Sequence, residues 1–349
     1  MTSRENTRVV SVGGVKIGGG NPVAIQSMTN ASGVDAVVAQ LSALKAAGCE
    51  IARVAVPDMA SARDIYAIKT KVDIPIVADI HFDARLAVAA LESGADKLRI
   101  NPGNIGGEEK ARIVAEAAKK RRAPIRVGVN AGSLEKALLS KYGGITAEAV
   151  AESALNGVKY LERMDFHDIV ISVKTSSAPL TARCYAILAE KTDCPLHVGV
   201  TEAGAVWAGS IKSAVGIGAV LLAGIGDTIR VSLTGDPLEE IKCSKEILRA
   251  SGVRRFGPDL VSCPTCARAQ IDVIKIAGEV EQRLSNITAD ITVAVMGCVV
   301  NGPGEAREAD IGIAGGKNEG VIFKSGKIIA KLPEDELVER LLKEIESLL

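Results

Sequence analysis

The sequence predicts a (β/α)8 TIM barrel followed by a small α+β domain, and three observations carry that expectation. From Pro22 to about Ser251, short apolar runs alternate with longer stretches of helical character. Hydrophobic residues make up 47% of the 349-residue chain and aromatics only 3%, so the core is built from Ala, Val, Ile and Leu. That diet suits strands buried on both faces and the helices that cover them. After Gly252 the pattern changes, and Arg254-Arg255-Phe256-Gly257-Pro258 is polar and turn-forming. The expected domains are therefore residues 1–254 and 255–349.

In chain order, Val9–Val12 and Val15–Ile17 flank Gly13-Gly14 and read as a β-hairpin, placed to plug the barrel's lower end. Eight Val- and Ile-rich runs follow: Val23–Gln26, Ile51–Val56, Ile74–Ile80, Lys97–Ile100, Ile125–Val129, Ile169–Val173, Leu196–Val200 and Thr228–Leu233. Helical stretches between them include Asp35–Ala47, Asp83–Ser93, Glu108–Arg121 and Thr146–Met164. Asp35 and Asp83 stand as N-caps, and Gly48 and Gly94 stand where a left-handed residue ends a helix. Eight such units imply right-handed crossovers and a closed parallel barrel. Trp207 and the helix around it are expected in the core. The second domain reads as strand Leu260–Ser262, helix Ala267–Leu284, strands Ile291–Met296 and Ile311–Ala314, a hairpin over Val321–Lys331, and helix Glu334–Leu348.

The 42 basic and 42 acidic residues cancel, so no net field draws the chain to nucleic acid or to an anionic membrane. Met1 to Arg8 is too polar for a signal peptide. The longest apolar run, Ser213–Ile225, is broken by glycines and falls short of the ~20 residues a membrane span needs. A soluble, cytoplasmic protein is expected. Four of the seven cysteines, Cys49, Cys184, Cys194 and Cys243, are scattered in apolar or helical segments and read as buried free thiols.

The other three are clustered. Cys263-Pro-Thr-Cys266 lies where a strand turns toward a helix, and Cys298 follows a second strand in Met296-Gly-Cys-Val-Val-Asn-Gly-Pro-Gly-Glu305. A structural zinc site wants a fourth Cys or His, and the second domain has neither to offer after Cys298. A redox pair would use the CxxC and leave Cys298 unexplained. An iron–sulfur cluster is bound by thiolates and favours turns such as Gly297, Gly302 and Gly304 that aim N–H groups at sulfur. Three thiolates leave one iron open or bound by oxygen, and Glu305 is the nearest carboxylate. On spacing alone the cluster, zinc and plain buried cysteines all stay open.

The barrel strands carry charge in unexpected places: Arg53, Arg99, Arg126, Lys174 and Arg230. An unpaired cation inside a barrel costs several kcal/mol. Five of one sign near strand C-terminal ends, where barrel active sites lie, call for an anion, against the plainer account of internal ion pairs. Arginine forks match phosphate oxygens in charge-assisted bonds. Carboxylates there are fewer, Asp79 and Glu202, while Asn101, Asn130, Ser172, Thr201 and Ser232 supply neutral donors. His81 and His197 are read at the same barrel end, suited to binding or proton transfer as much as to the core.

These residues resemble the bacterial 4-hydroxy-3-methylbut-2-enyl diphosphate synthases of the non-mevalonate isoprenoid pathway. The match runs from end to end, through Pro22–Met28, Ala78–His81, Arg99–Asn104, Arg126–Asn130, Val170–Ser176, His197–Gly204, Cys263–Arg268 and Met296–Glu305. The long mid-sequence insertion of plant-type members is absent. The resemblance implies a [4Fe–4S] cluster on Cys263, Cys266 and Cys298, with Glu305 as a displaceable fourth ligand. It implies 2-C-methyl-D-erythritol 2,4-cyclodiphosphate as substrate, its diphosphate met by Arg53, Arg99, Arg126, Lys174 and Arg230. Two single-electron reductions from ferredoxin or flavodoxin then open the ring, with Glu202 as proton donor, or else His81 or His197. It also implies a homodimer. A phosphate-binding barrel lyase or transferase with a structural zinc is the alternative, and a non-catalytic redox sensor using the CxxC is a second rival.

Overall fold

The computed structural model describes residues 3–81, 83–101, 108–284, 287–298, 308–317 and 319–348. It divides into two compact units, Met1–Arg254 and Arg255–Leu349.

The first unit opens with an antiparallel hairpin of β1 (Val10–Val12) and β2 (Val15–Ile17). Then come β3 (Ala24–Met28), α1 (Val34–Ala47), β4 (Ile51–Ala55), α2 (Met59–Lys71), β5 (Ile76–Asp79) and α3 (Ala84–Glu92). The chain continues through β6 (Lys97–Ile100), α4 (Glu108–Arg121), β7 (Ile125–Asn130), α5 (Lys136–Tyr142) and α6 (Ala147–Glu162). It completes the barrel with β8 (Ile169–Lys174), α7 (Ala178–Lys191), β9 (His197–Val198), α8 (Val206–Leu222), β10 (Thr228–Ile229) and α9 (Pro237–Ala250). The parallel strands pair in the order β8-β7-β6-β5-β4-β3-β10-β9. A parallel bridge from Ile171 to Leu196 closes the ring.

Val10, Val12 and Ile17 of the hairpin pack with Ala24, Ile51, Val77 and Val170. The hairpin therefore plugs the strands' N-terminal end with apolar side chains. At the far end β9 and β10 are shorter than their apolar runs suggest. Their backbones close in there, since a Cβ on Gly199 would meet the Arg230 carbonyl at 2.5 Å. Beyond that point Glu240, reaching in from α9, takes the Leu233 N–H at 3.1 Å in place of a ladder partner.

Caps follow the sequence in part. Asp83 accepts the Arg85 N–H at 2.9 Å, and Gly48 and Gly94 adopt φ of 103° and 98°. Asp35 is not a cap. The helix starts behind Gly33, and the Asp35 carboxylate instead pairs with Lys71 at 2.7 Å. Cys49, Cys184 and Cys194 are buried, but Cys243 is only half-buried. Trp207 is not in the core: it is 79% exposed at the start of α8.

The second unit holds β11 (Asp259–Ser262), α10 (Val273–Leu284), β12 (Thr292–Met296), β13 (Ile311–Gly316), β14 (Glu319–Lys324), β15 (Lys327–Leu332) and α11 (Leu337–Glu346). The sheet runs β11 to β15 in order, its first three strands parallel and its last two added antiparallel. Strand alternation sends Val293 and Val295 to the face covered by Ile276, Val280, Leu341 and Ile345, and Ala294 and Met296 to the face with Phe323. Helix α10 begins six residues later than its apolar pattern suggests. Gln270 N–H is drawn instead to the Gly297 carbonyl at 2.8 Å, and Asp272 caps the new start by accepting from Lys275 N at 3.0 Å.

If the hairpin is a plug, Ile17→Ala should lower the unfolding free energy by about 2–5 kcal/mol. Val9→Ala, on the same hairpin but half exposed, should cost little. Chemical denaturation of the two variants checks this.

Candidate active site

Asp79, at the end of β5, is the hub of the barrel mouth. Its Oδ1 takes Arg99 Nη1 at 3.3 Å, and its Oδ2 lies 3.7 Å from Arg53 Nε and 3.5 Å from His81 Nε2. Burial works against the charged carboxyl, yet Arg53, Arg99, Arg126 and His81 prevail and hold it below its ordinary range. Across the barrel, Glu240 accepts from Arg230 Nη2 at 3.3 Å and from Ser27 Oγ at 2.9 Å. The alternation of strand residues gives no hint of Glu240, because it enters from a helix.

Two glycines make room for the cations. A Cβ on Gly128 would lie 2.7 Å from Arg99 Nε, and one on Gly199 would lie 2.9 Å from Lys174 Nζ. Even so, the cations are under-paired. Among the described residues, Arg99 Nε, Arg126 Nε and Nη1, Lys174 Nζ and Arg230 Nε are buried without a hydrogen-bond acceptor. Burial, then Arg230, Arg53 and Arg126, push the Lys174 amine well below the usual lysine range.

The five cations do not share one level. Lys174 ends β8 and Arg230 follows β10, but Arg126 is the second residue of β7, in register with Val170 of the lower cluster. Lys97, on β6 and fully buried, is a sixth cation that the sequence reading missed; its spacing of two from Arg99 is the signal.

The two histidines also part company. His81 follows β5 at the mouth, with Nδ1 3.4 Å from Arg99 Nη1. It borders a cavity of about 620 Å³ that Asp79, Pro57 and Leu86 also line. A larger hollow of about 920 Å³ lies on the outer surface against Tyr66 and Val88 and contains none of the inward-facing cations. His197, by contrast, is fully buried and sits deep, in register with Thr228 and through it with Ala24 of the lower cluster. Its Nδ1 meets Thr228 Oγ1 at 2.7 Å. Burial, then Arg126, Lys174, Lys97 and Arg53, keep its imidazole neutral.

Glu202 is exposed at the mouth with φ of 51°, a left-handed conformation unusual for a residue with a side chain. Thr201 beside it is tied to the Thr175 carbonyl at 3.1 Å. Ser172 is buried on β8, Asn101 follows β6 and Asn130 ends β7, while Thr201 and Ser232 are half-buried.

In the second unit, Cys263 and Cys298 follow the C-terminal ends of β11 and β12, adjacent parallel strands spaced roughly 4.8 Å apart. The Gly297 N–H donates to Cys263 Sγ at 3.1 Å. The exposed Cys266 thiol is shifted downward by the Arg268 backbone N–H and then its side chain, which favours thiolate. An N–H aimed at one sulfur and a guanidinium beside another suit thiolate ligation of an iron–sulfur group. Among the described residues no three His, Cys, Asp or Glu side chains already form a metal-holding group. Glu305 lies outside the described residues.

A parallel barrel with under-paired cations inside, followed by a unit that carries three clustered thiols, places the chain among TIM-barrel proteins with an added cysteine-bearing domain. Residues 7–245 match the GcpE TIM-barrel domain and residues 259–347 the GcpE protein C-terminal domain, so the chain belongs to the GcpE family. It is 59% identical to the 4-hydroxy-3-methylbut-2-en-1-yl diphosphate synthase (flavodoxin) of Caldanaerobacter subterraneus subsp. tengcongensis, over 99% of this chain and 98% of that one. It is 58% identical to the protein of that name from Clostridium perfringens, over 99% and 100%. Among solved structures, type I 3-dehydroquinate dehydratase from Clostridium difficile superposes with a TM-score of 0.52 at 14% identity, over 70% of this chain and 97% of that one. Burkholderia cenocepacia dihydropteroate synthase superposes with a TM-score of 0.51 at 12% identity, over 71% and 99%. Both likenesses are of the barrel fold alone.

Gly128→Ala should crowd Arg99 off Asp79 and weaken binding of inorganic diphosphate about tenfold, or ~1.4 kcal/mol, by calorimetry. The melting temperature should fall by several degrees, since a buried ion pair is loosened, while the far-ultraviolet spectrum stays that of wild type.

Proposed function

We propose that this chain is an iron–sulfur oxidoreductase that opens 2-C-methyl-D-erythritol 2,4-cyclodiphosphate reductively to 4-hydroxy-3-methylbut-2-enyl diphosphate, a step of isoprenoid biosynthesis. Two electrons and a proton enter, and water leaves. The observation that carries the reading is the set of buried cationic N–H groups with no acceptor among the described residues. A diphosphate supplies acceptors to all of them at once, each charge-assisted bond contributing roughly 1.5–3 kcal/mol. Family membership names the reaction, and nothing favours a lyase or transferase with structural zinc.

The residues divide the work. Arg53, Arg99, Arg126, Lys174 and Arg230 hold the diphosphate, with Asn101, Asn130, Ser172, Thr201 and Ser232 as neutral partners. Asp79 and Glu240 aim Arg53, Arg99 and Arg230 rather than neutralise them. Glu202 is the proton donor of first choice, because its strained backbone holds it at the mouth, and His81 is the second. His197, neutral and deep, is the least suited of the three. Cys263, Cys266 and Cys298 would hold a [4Fe–4S] cluster, with Glu305 as fourth ligand. When bound, that cluster would supply electrons singly, and flavodoxin, which appears in the relatives' names, is the donor.

The working unit is a homodimer. Trp207, Ile211, Val215 and Leu222 of α8 are 79%, 49%, 59% and 74% exposed and form one stripe. Lys212 is the helix's only charge. A stripe of this kind matches a second copy of itself across a two-fold axis.

Two experiments test these readings. Protein purified without oxygen should contain iron and acid-labile sulfide and turn over the cyclodiphosphate with reduced flavodoxin, whereas Cys263→Ser, Cys266→Ser and Cys298→Ser should each lose the brown absorption and the activity. Stoichiometric zinc without sulfide would overturn the cluster. Light scattering should show a dimer that Ile211→Asp with Val215→Asp converts to a folded monomer; a wild-type monomer would remove the dimer.

A further inference from the structure

Lys97 is the first residue of β6 and is wholly buried, with its Nζ lacking a partner among the described residues. It lies one inward step beneath Arg99 and in register with Val77 of the lower cluster. The groups acting on it are Arg126 of β7 and Arg53 of β4, and His197 of β9 feels it in turn. Strand β3 offers only the uncharged Gln26, itself buried and unpaired. The nearest acid in sequence, Asp96, is already taken by Lys69 at 2.7 Å and by the Ile76 N–H at 2.7 Å. Among the described residues no carboxylate pairs with Lys97.

The barrel interior thus holds Arg53, Lys97, Arg99, Arg126, Lys174 and Arg230 against Asp79 and Glu240. Arginines keep their protons in proteins, so the repulsion is relieved at the lysines, whose amines yield theirs readily when buried. Burial first, then Arg126 and Arg53, push the Lys97 amine well below the ordinary lysine value.

We infer that Lys97 is an uncharged amine in the empty barrel and takes up a proton as the cyclodiphosphate dianion enters, so that it is a positioning residue that completes the anion site from beneath. This rests on the diphosphate reading above. The proton comes from solvent. The substrate contributes none, because each phosphorus of a cyclic diphosphate bears one strongly acidic oxygen that is already ionised. The sign follows: the bound-state amine holds its proton to higher pH than the free-state amine. Affinity is therefore greatest at low pH and falls, by up to tenfold per pH unit for one proton, between the two values.

The test is calorimetric titration of the full-length chain with the cyclodiphosphate at pH 8 in Hepes and in Tris, whose different ionisation enthalpies report the protons taken up. Wild type should take up one to two, Lys174 sharing the uptake. Lys97→Met should take up about one fewer and keep its far-ultraviolet spectrum, with Lys97→Gln standing in should the Met variant fold poorly. Equal uptake in wild type and variant, or none in wild type, overturns the role of Lys97 while the anion site stands. Failure of the cyclodiphosphate to bind overturns the anion site and this inference together.

Discussion

A barrel interior has no water to spare, so each cation that a strand carries inward must be answered by something else. Burying one such ion costs several kcal/mol. Two like charges roughly 8 Å apart repel by about 2 kcal/mol more at an effective dielectric constant of 20. Among the described residues six basic side chains face two carboxylates, and even with both lysines neutral the four arginines leave a surplus of positive charge. Much else follows from that imbalance. A Cβ on Gly128 would stand where Arg99 lies, and one on Gly199 would stand where the Arg230 carbonyl and the Lys174 amine lie. Asp79 serves three partners at once, so it fixes their directions without cancelling their charge.

The cost is offset along the barrel axis. Its lower end is apolar, closed by Val10, Val12 and Ile17 against Ala24, Ile51, Val77 and Val170. The eight strands are covered by helices rich in small residues, such as Ala84, Ala87 and Ala90 of α3, which pack close to the sheet. Stability is concentrated where no chemistry is needed, and charge is concentrated toward the carboxyl ends of the strands, the usual division in barrels. Lys97 and His197 mark the boundary between the halves: both are fully buried and polar, and both are in register with the apolar layer.

Much of this was legible in the residues. The eight strands could be read because parallel strands buried on both faces write their position as Val- and Ile-rich runs. The cations stood out because such runs otherwise exclude charge. What could not be read depends on partners far apart in sequence. Asp35 looks like a cap, but Lys71, a helix away, claims it. Trp207 looks like core, yet the described residues leave it 79% exposed. Glu240 reaches Arg230 and Ser27 from outside the sheet. Lys97 opens its strand, a position where a lysine commonly marks a solvated edge, and only the closed ring shows that it is buried. The start of α10 was misplaced because Gln270 is captured by Gly297, a contact made only once β12 is in place.

The two units solve opposite problems by one rule of topology. In the barrel, parallel strands deliver Arg99, Lys174 and Arg230 near or just past their carboxyl ends, where their buried N–H groups lack acceptors among the described residues. In the second unit only β11, β12 and β13 run parallel, and it is the carboxyl ends of β11 and β12 that deliver Cys263 and Cys298. There the Gly297 N–H meets the Cys263 sulfur, and Arg268 stands beside Cys266 in the turn that follows β11. The antiparallel strands β14 and β15 complete the sheet and bear none of the candidate ligands. A parallel pair places two consecutive loops at the same edge, whereas an antiparallel pair sends them to opposite edges. Ligands distant in sequence can therefore converge beside β11 and β12, while the hairpin is left to close the core.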